Sequence, residues 1–350
     1  MDKLFKLIDK LETEHTLTLS QYEQLITNKT EKIINYAKTK ADGVRREVYG
    51  NDVYIRGLIE VGNYCRNDCF YCGIRKSNQK CERYLLSKDE ILMCCKEGYS
   101  LGFRTFVLQG GEGVLKVDFI CDTVKEIKQK YPDCAVTLSL GEYSFDEYKK
   151  MREAGADRYL LRHETADSEH YSKLHPKEML YENRMRCLKD LKSLGFQVGC
   201  GFMVGSPYQT AKTLAKDLKF IEEFSPEMCG IGPFITHKDT PFSTHPSGTL
   251  DDTLFLLALV RLIKPNVLLP STTALGTIDA NGREKGILAG ANVVMPNLSP
   301  ISVRKKYALY DGKICSDAES AQNKADLEKR MQNIGFKIVT ARGDIKNIKE

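Results

Sequence analysis

From about residue 53 onward, short runs of β-branched, aromatic and leucine side chains alternate with longer amphipathic stretches rich in Lys and Glu. The runs VYIRGLIEV (53–61), RTFVLQ (104–109), AVTLSL (135–140) and DRYLLR (157–162) have the length and composition of buried strands. So do FQVGCGFMV (196–204), EMCGIG (227–232), NVLLPS (266–271) and NVVMPN (292–297). Between them the apolar positions change to helical spacing, which predicts helices near 87–101, 116–131, 144–154, 181–194, 210–224, 249–264 and 279–289. Gly102, Pro132, Gly155 and Gly195 punctuate the breaks.

Eight strands, with a helix after nearly every one, predict an α/β fold that is a complete (β/α)8 barrel of the TIM type, with a doubly wound open sheet as the alternative. The residues following the strands favour the barrel. They are polar, Gly or Pro, as expected where strand C-terminal ends build an active-site mouth. Ahead of the barrel (53–303), Leu4, Ile8 and Leu11 recur at helical spacing, so residues 1–52 read as an extension of two or three short helices. Residues 304–350 form a polar C-terminal extension with one helix expected near 317–334.

Composition is that of an ordinary globular chain: 42% hydrophobic and 28% charged over 350 residues. A net charge of +5 is small beside 52 basic and 47 acidic residues, so it points to no nucleic-acid or membrane partner. Charges run through the first fifteen residues, unlike a signal peptide. No run of about 18 strongly apolar residues suggests a membrane span. A cytoplasmic location is expected. Twelve cysteines in such a chain do not read as a disulfide framework; most of the scattered ones read as small buried hydrophobes.

Three of them read otherwise. Cys65, Cys69 and Cys72 follow the first strand at Cys-x3-Cys-x2-Cys spacing, with Tyr71 just before the last. Thiolates are the standard ligands of iron–sulfur clusters, and three on one loop serve three irons of a cube while the fourth stays open for a ligand. A zinc site is the plainer alternative, but it normally takes a fourth Cys or His at matching spacing, and Cys81 lies nine residues on in a highly charged segment. Further candidates sit at other strand ends. Gln109-Gly110-Gly111-Glu112 lets backbone approach a ligand closely, or simply turns the chain. Arg162-His163-Glu164-Thr165, with Arg184 beyond it, can hold a carboxylate and a hydroxyl or ammonium, or can be a salt-bridge network. Gly201 to Gly205, with Met203, marks a close approach or tight packing. Ser139, Thr272 and Thr273 offer hydroxyls for an anion, or helix caps. His237 receives no role.

The cysteine triplet, its aromatic neighbour and its place after the first strand resemble the radical S-adenosylmethionine superfamily. Longer stretches narrow this. LIEVGNYCRNDCFYCGIR, FVLQGGE, VTLSLGE, DRYLLRHETAD, YENRMRCL, GIGPFITHKDTPF, STTALGTIDANGRE and GANVVMPN resemble FeFe-hydrogenase maturation enzymes of the HydE type over roughly residues 53–313. The resemblance implies a 4Fe–4S cluster on Cys65, Cys69 and Cys72, and S-adenosylmethionine held by Gln109, Gly110, Gly111, Glu112, Arg162, Glu164, Arg184 and Met203. It implies a substrate or anion pocket at Ser139, Thr272 and Thr273, with no catalytic side chain beyond these ligands. The implied substrate is a small organometallic cysteine–iron precursor of the two-iron subcluster. The implied partners are other hydrogenase maturases and an electron donor. Some relatives carry three more C-terminal cysteines for a second cluster; here Cys315 has no such companions, so one cluster is expected. The rival readings are a methylornithine-synthase-like enzyme acting on an amino acid, a biotin-synthase-like enzyme and a passive cluster scaffold. The last is disfavoured because it needs neither the Gly-rich turn nor the RHET cluster.

Overall fold

The computed structural model describes residues 2–314 and 321–347. Its strands are β1 (Asp52–Ile55), β2 (Gly57–Gly62), β3 (Thr105–Gly110), β4 (Ala135–Ser139), β5 (Arg158–Leu160), β6 (Gln197–Cys200), β7 (Met203–Val204), β8 (Met228–Cys229), β9 (Gly232–Pro233), β10 (Val293–Val294) and β11 (Lys337–Val339). A parallel sheet runs β2-β3-β4-β5-β6-β8. Parallel bridges Met228↔Leu268 and Pro270↔Val293 carry it through the seventh and eighth positions, and Leu58↔Asn297 returns it to β2. The sheet is therefore closed into the expected eight-position barrel, which removes exposed edges and leaves each strand buried on both faces.

Three expected strands are interrupted. The first divides at Arg56 between β1 and β2. The fifth divides at Gly201, whose added Cβ would lie 2.0 Å from the carbonyl oxygen of Gly230, so the two backbones meet too closely for a side chain. The sixth divides at the same level, and beyond the break β7 pairs with β9 as a short second tier at the mouth. A short helix, Thr273–Ile278, also precedes Gly282–Leu288 where one helix was expected.

The N-terminal extension forms helices Asp2–Glu14, Leu19–Thr27 and Glu31–Tyr49, the last longer than its sequence suggested. Glu31–Tyr49 packs on Leu250–Ile263, a helix buried around nearly its whole circumference because neighbours cover it from both sides.

The C-terminal residues are more than a polar tail. Helix Lys324–Asn333 falls within the span expected for one, whose first residues lie outside the described part, and leads into β11, which pairs in parallel with β1 at the barrel floor. Residues 315–320, including Cys315, lie outside the described part. Beyond β11, Asp344 meets Arg158, whose side chain is fully buried, and Arg342 at 2.9 Å. Burial pushes the Asp344 carboxyl up, but the two guanidinium groups prevail and hold it down at about 2. A carboxyl depressed on folding contributes stability above its unfolded value and loses it as pH falls. Asp344→Asn should therefore destabilise the protein by roughly 1–2 kcal/mol near neutral pH, allowing for the partial exposure of Asp344. The difference should fade between about pH 4 and pH 2, as urea titrations across that range would check.

Candidate active site

A β-bulge shifts the register between β2 and β3 at Val61, and the chain then leaves the barrel top at Asn63. Asn63 is fully buried and fastens both ends of the cysteine loop. Its Nδ2 donates to the carbonyls of Glu82 (2.8 Å) and Lys306 (2.7 Å), and its Oδ1 accepts from Tyr84 N–H at 2.8 Å. Arg83 donates to four carbonyls, those of Asn63, Ile74, Arg75 and Asn78, and so gathers the loop from within. Gly73 N–H donates to Leu309 O at 2.8 Å, where the segment 304–314 crosses the mouth.

Cys65, Cys69 and Cys72 are half-buried free thiols on this loop. Burial pushes all three pKa values up, that of Cys72 to about 12. Among the described residues, no three His, Cys, Asp or Glu side chains converge tightly enough to hold a single metal ion. The three thiols share the loop that follows β2. Their softness and common loop suit an iron–sulfur cluster, whose binding would deprotonate them. Tyr71 donates to His175 Nε2 at 3.1 Å, while His175 Nδ1–H donates to Tyr171 O at 2.9 Å. Burial, then Arg184, hold the His175 pKa down at about 3, so this imidazole is neutral and accepts.

The turn after β3 touches this loop directly. Glu112 N–H donates to Cys65 Sγ at 3.4 Å, and Arg66 N–H donates to Glu112 O at 2.8 Å. A Cβ on Gly111 would lie 1.8 Å from Tyr64 O. Gly111→Ala must therefore push the turn and the cysteine loop apart. Reconstituted protein should then hold less iron and bind S-adenosylmethionine at least tenfold more weakly, as iron assay and equilibrium dialysis would measure.

Arg184, on helix Tyr181–Ser193, joins the next wall. Its Nε donates to Glu142 Oε1 at 2.6 Å, its Nη1 to Arg162 O at 3.0 Å, and its Nη2 lies 3.8 Å from Glu112 Oε2. Burial opposes its charge, but Tyr171, Glu142 and Glu112 more than offset that, so the guanidinium stays protonated. Arg162 Nη2 is 3.2 Å from Glu164 Oε2 but poorly aligned. Arg162 Nε and Nη2, Glu164 Oε2 and Thr272 Oγ1 have no hydrogen-bond partner despite burial. Such groups cost stability unless a ligand satisfies them. Thr272 occupies a helix-cap position without capping, which removes the bland reading of its hydroxyl.

The residues implied as cluster, cofactor and substrate contacts line one cavity of about 370 Å³: Cys65, Cys69, Cys72, Gln109, Gly110, Gly111, Glu112, Ser139, Arg162, Glu164, Arg184, Met203, Thr272 and Thr273; His163, Thr165, Gly201 and Gly205 do not line it. His237 is a loop residue, accepting from Asp239 N–H at 3.1 Å. The sequence reading missed Glu60, Tyr307 and Lys313, which also line the cavity. Lys313 bonds Glu60 and the Tyr307 carbonyl (2.8 Å), and Asn297 Nδ2 donates to Glu60 Oε2 at 3.0 Å. Glu60 was visible as a carboxylate inside an otherwise apolar strand; nothing in the sequence brings the distant Lys313 to it. Arg56, nearer the floor, is a second missed cation: it is buried, with Nε and Nη2 lacking partners.

Residues 59–221 match the family model of the radical SAM superfamily. The chain is 48% identical to the FeFe hydrogenase maturase subunit HydE of Thermotoga maritima, over 79% of this chain and 78% of that one. It is 28% identical to a 3-methylornithine synthase of Methanosarcina acetivorans, over 84% and 82% of the two chains. The solved structure of methylornithine synthase superposes with a TM-score of 0.83, covering 95% of this chain and 97% of that one at 24% identity, a likeness of fold. The maturase HydG superposes at 0.80, covering 97% and 76% at 20% identity.

Proposed function

The chain belongs to the HydE family of FeFe-hydrogenase maturases within the radical SAM superfamily, and from that premise we propose how its own residues divide the work and what it acts on. The family carries a 4Fe–4S cluster and S-adenosylmethionine. When bound, such a cluster would supply the single electron for reductive cleavage of S-adenosylmethionine. Cys65, Cys69 and Cys72 hold the cluster. The Gln109–Glu112 turn, Glu164, Arg162 and Arg184 fix S-adenosylmethionine, with Met203 against it. The observation carrying this reading is the convergence of the three thiols with buried polar atoms of Arg162, Glu164 and Thr272 that make no hydrogen bond within the protein, on one cavity.

Arg162 and Thr272 suit a carboxylate, and Glu164 suits an ammonium or ribose hydroxyls. Ser139 and Thr273 extend the polar wall. The barrel wall and the 304–314 crossing cover part of the cavity, and exclusion of water there would protect a reactive radical from quenching. We take the substrate to be a small organometallic cysteine–iron precursor of the two-iron subcluster, passed between maturases, with a separate electron donor.

The test is in vitro maturation of apo-hydrogenase with the other maturases supplied. Hydrogen evolution should depend on this chain and be lost without it. Equal activation without it, together with rearrangement of lysine by the purified protein, would instead identify an enzyme of the methylornithine-synthase kind.

A further inference from the structure

Side chains alternate along Arg162-His163-Glu164-Thr165. Arg162 and Glu164 face the cavity, while His163 and Thr165 are fully buried outside its lining. Glu164 has φ of 64°, the left-handed region. For a residue with a Cβ this conformation is strained and persists only where neighbours over-determine it.

Those neighbours can be named. Glu164 N–H donates to Gly201 O at 3.0 Å, and Gly201 N–H donates to His163 Nδ1 at 3.2 Å. With Nδ1 accepting, Nε2 carries the imidazole hydrogen, and it lies 3.5 Å from Asp217 Oδ1, an electrostatic contact outside hydrogen-bond geometry. Asp217 Oδ1 also accepts from Ala166 N–H, two residues past Glu164. One carboxylate thus restrains the chain on both sides of the strained residue. The His163 ring is wedged between Phe202 and Phe220, with centroids 5.9 and 4.7 Å away.

A merely structural role fits poorly. Asp217 lies on the inner face of helix Ala211–Phe224 beside Ala215, Leu218 and Ile221, with no exposure, and its Oδ2 has no hydrogen-bond partner. Burying a carboxylate there is less favourable than a well-packed aliphatic side chain. What the aspartate achieves is direction: it orients His163, and His163 locks the backbone that aims Glu164.

We propose that His163 and Asp217 form a buried positioning pair that holds Glu164 in its left-handed conformation, and thereby sets the affinity for S-adenosylmethionine without touching it. This rests on the reading of Glu164 as a contact of that molecule.

The experiment measures the S-adenosylmethionine Kd of the reconstituted protein by equilibrium dialysis, alongside iron content and melting midpoint. Asp217→Ala should raise Kd roughly tenfold or more, the size typical of partners that orient a binding residue. Asp217→Asn keeps an oxygen for both N–H groups and should bind close to the parent value. Leu218→Ala, on the same helix, should lower the melting midpoint without moving Kd, which separates positioning from general loosening. Should Asp217→Ala fail to fold, His163→Phe keeps the ring packing, removes the nitrogens and should weaken binding alike. Parent affinity in both pair variants, with loss in Glu164→Ala, would overturn the positioning role alone. Parent affinity in Glu164→Ala would overturn the reading beneath it.

Discussion

Alanine at Cys72 should leave the reconstituted protein nearly devoid of iron and unable to cleave S-adenosylmethionine. Three thiolates are the fewest that hold an iron–sulfur cube with one iron open, so losing one leaves two and no stable chelate. The loop itself should survive. Asn63 and Arg83 fasten it through main-chain carbonyls, and Asp68 bonds Arg75 and Ser77 Oγ at 2.7 and 2.6 Å. The melting midpoint of the iron-free variant should therefore match that of the iron-free parent. Iron per chain should fall from about four to near zero, and 5′-deoxyadenosine should drop below detection. Serine should not rescue, because its hydroxyl is a poor ligand for this soft site. Cys81 tests specificity. It lies near the loop, accepting from Asn63 Nδ2 at 3.5 Å, yet is absent from the cavity lining, and Cys81→Ala should keep both iron and cleavage.

Arg184→Met should have the second largest effect, on stability and binding together. Methionine fills much of the same volume but removes the buried charge shared by Glu142, Glu112 and Arg162 O. The Glu142 carboxylate would keep only Asn183, and the Glu112 carboxylate only Arg66, among the described residues. Breaking one side of a buried ion pair costs about 3–5 kcal/mol, because the stranded charge outweighs the lost contact. Denaturant unfolding should show a loss of that size, and S-adenosylmethionine should bind roughly 10–100-fold more weakly as Arg162 and the Glu112 turn lose a common anchor. Arg184→Lys should fall between, keeping the charge but not the planar fork that reaches three partners. The double variant Arg184→Met with Glu142→Gln should recover part of the stability and little of the binding.

The barrel was readable because its strands are buried on both faces and show as short apolar runs between amphipathic helices. Where the runs broke, the cause was a close backbone approach at Gly201 and, at Arg56, a change of pairing partner from β10 and β11 to β3, neither of which alters hydrophobicity. β11 escaped notice because three residues carry too little pattern, and it is its pairing with β1 that makes it a strand. The site was readable where chemistry repeats at fixed spacing, as in the cysteine triplet and RHET. It was not readable where partners meet only through the fold. Lys313 reaches Glu60 from the opposite end of the chain. Asp217 did leave a signal: a lone carboxylate at a position between Ala215 and Ile221 that helical spacing assigns to the core.

The central claim is that one cavity holds both a cluster and S-adenosylmethionine for reductive cleavage. The most direct measurement is anaerobic incubation of the reconstituted protein with dithionite and S-adenosylmethionine, following 5′-deoxyadenosine and methionine by mass spectrometry. Both products should appear with the parent protein and vanish with Cys72→Ala. A parent protein that loads about four irons and binds S-adenosylmethionine yet forms neither product, or a Cys72→Ala variant that forms both, would contradict it.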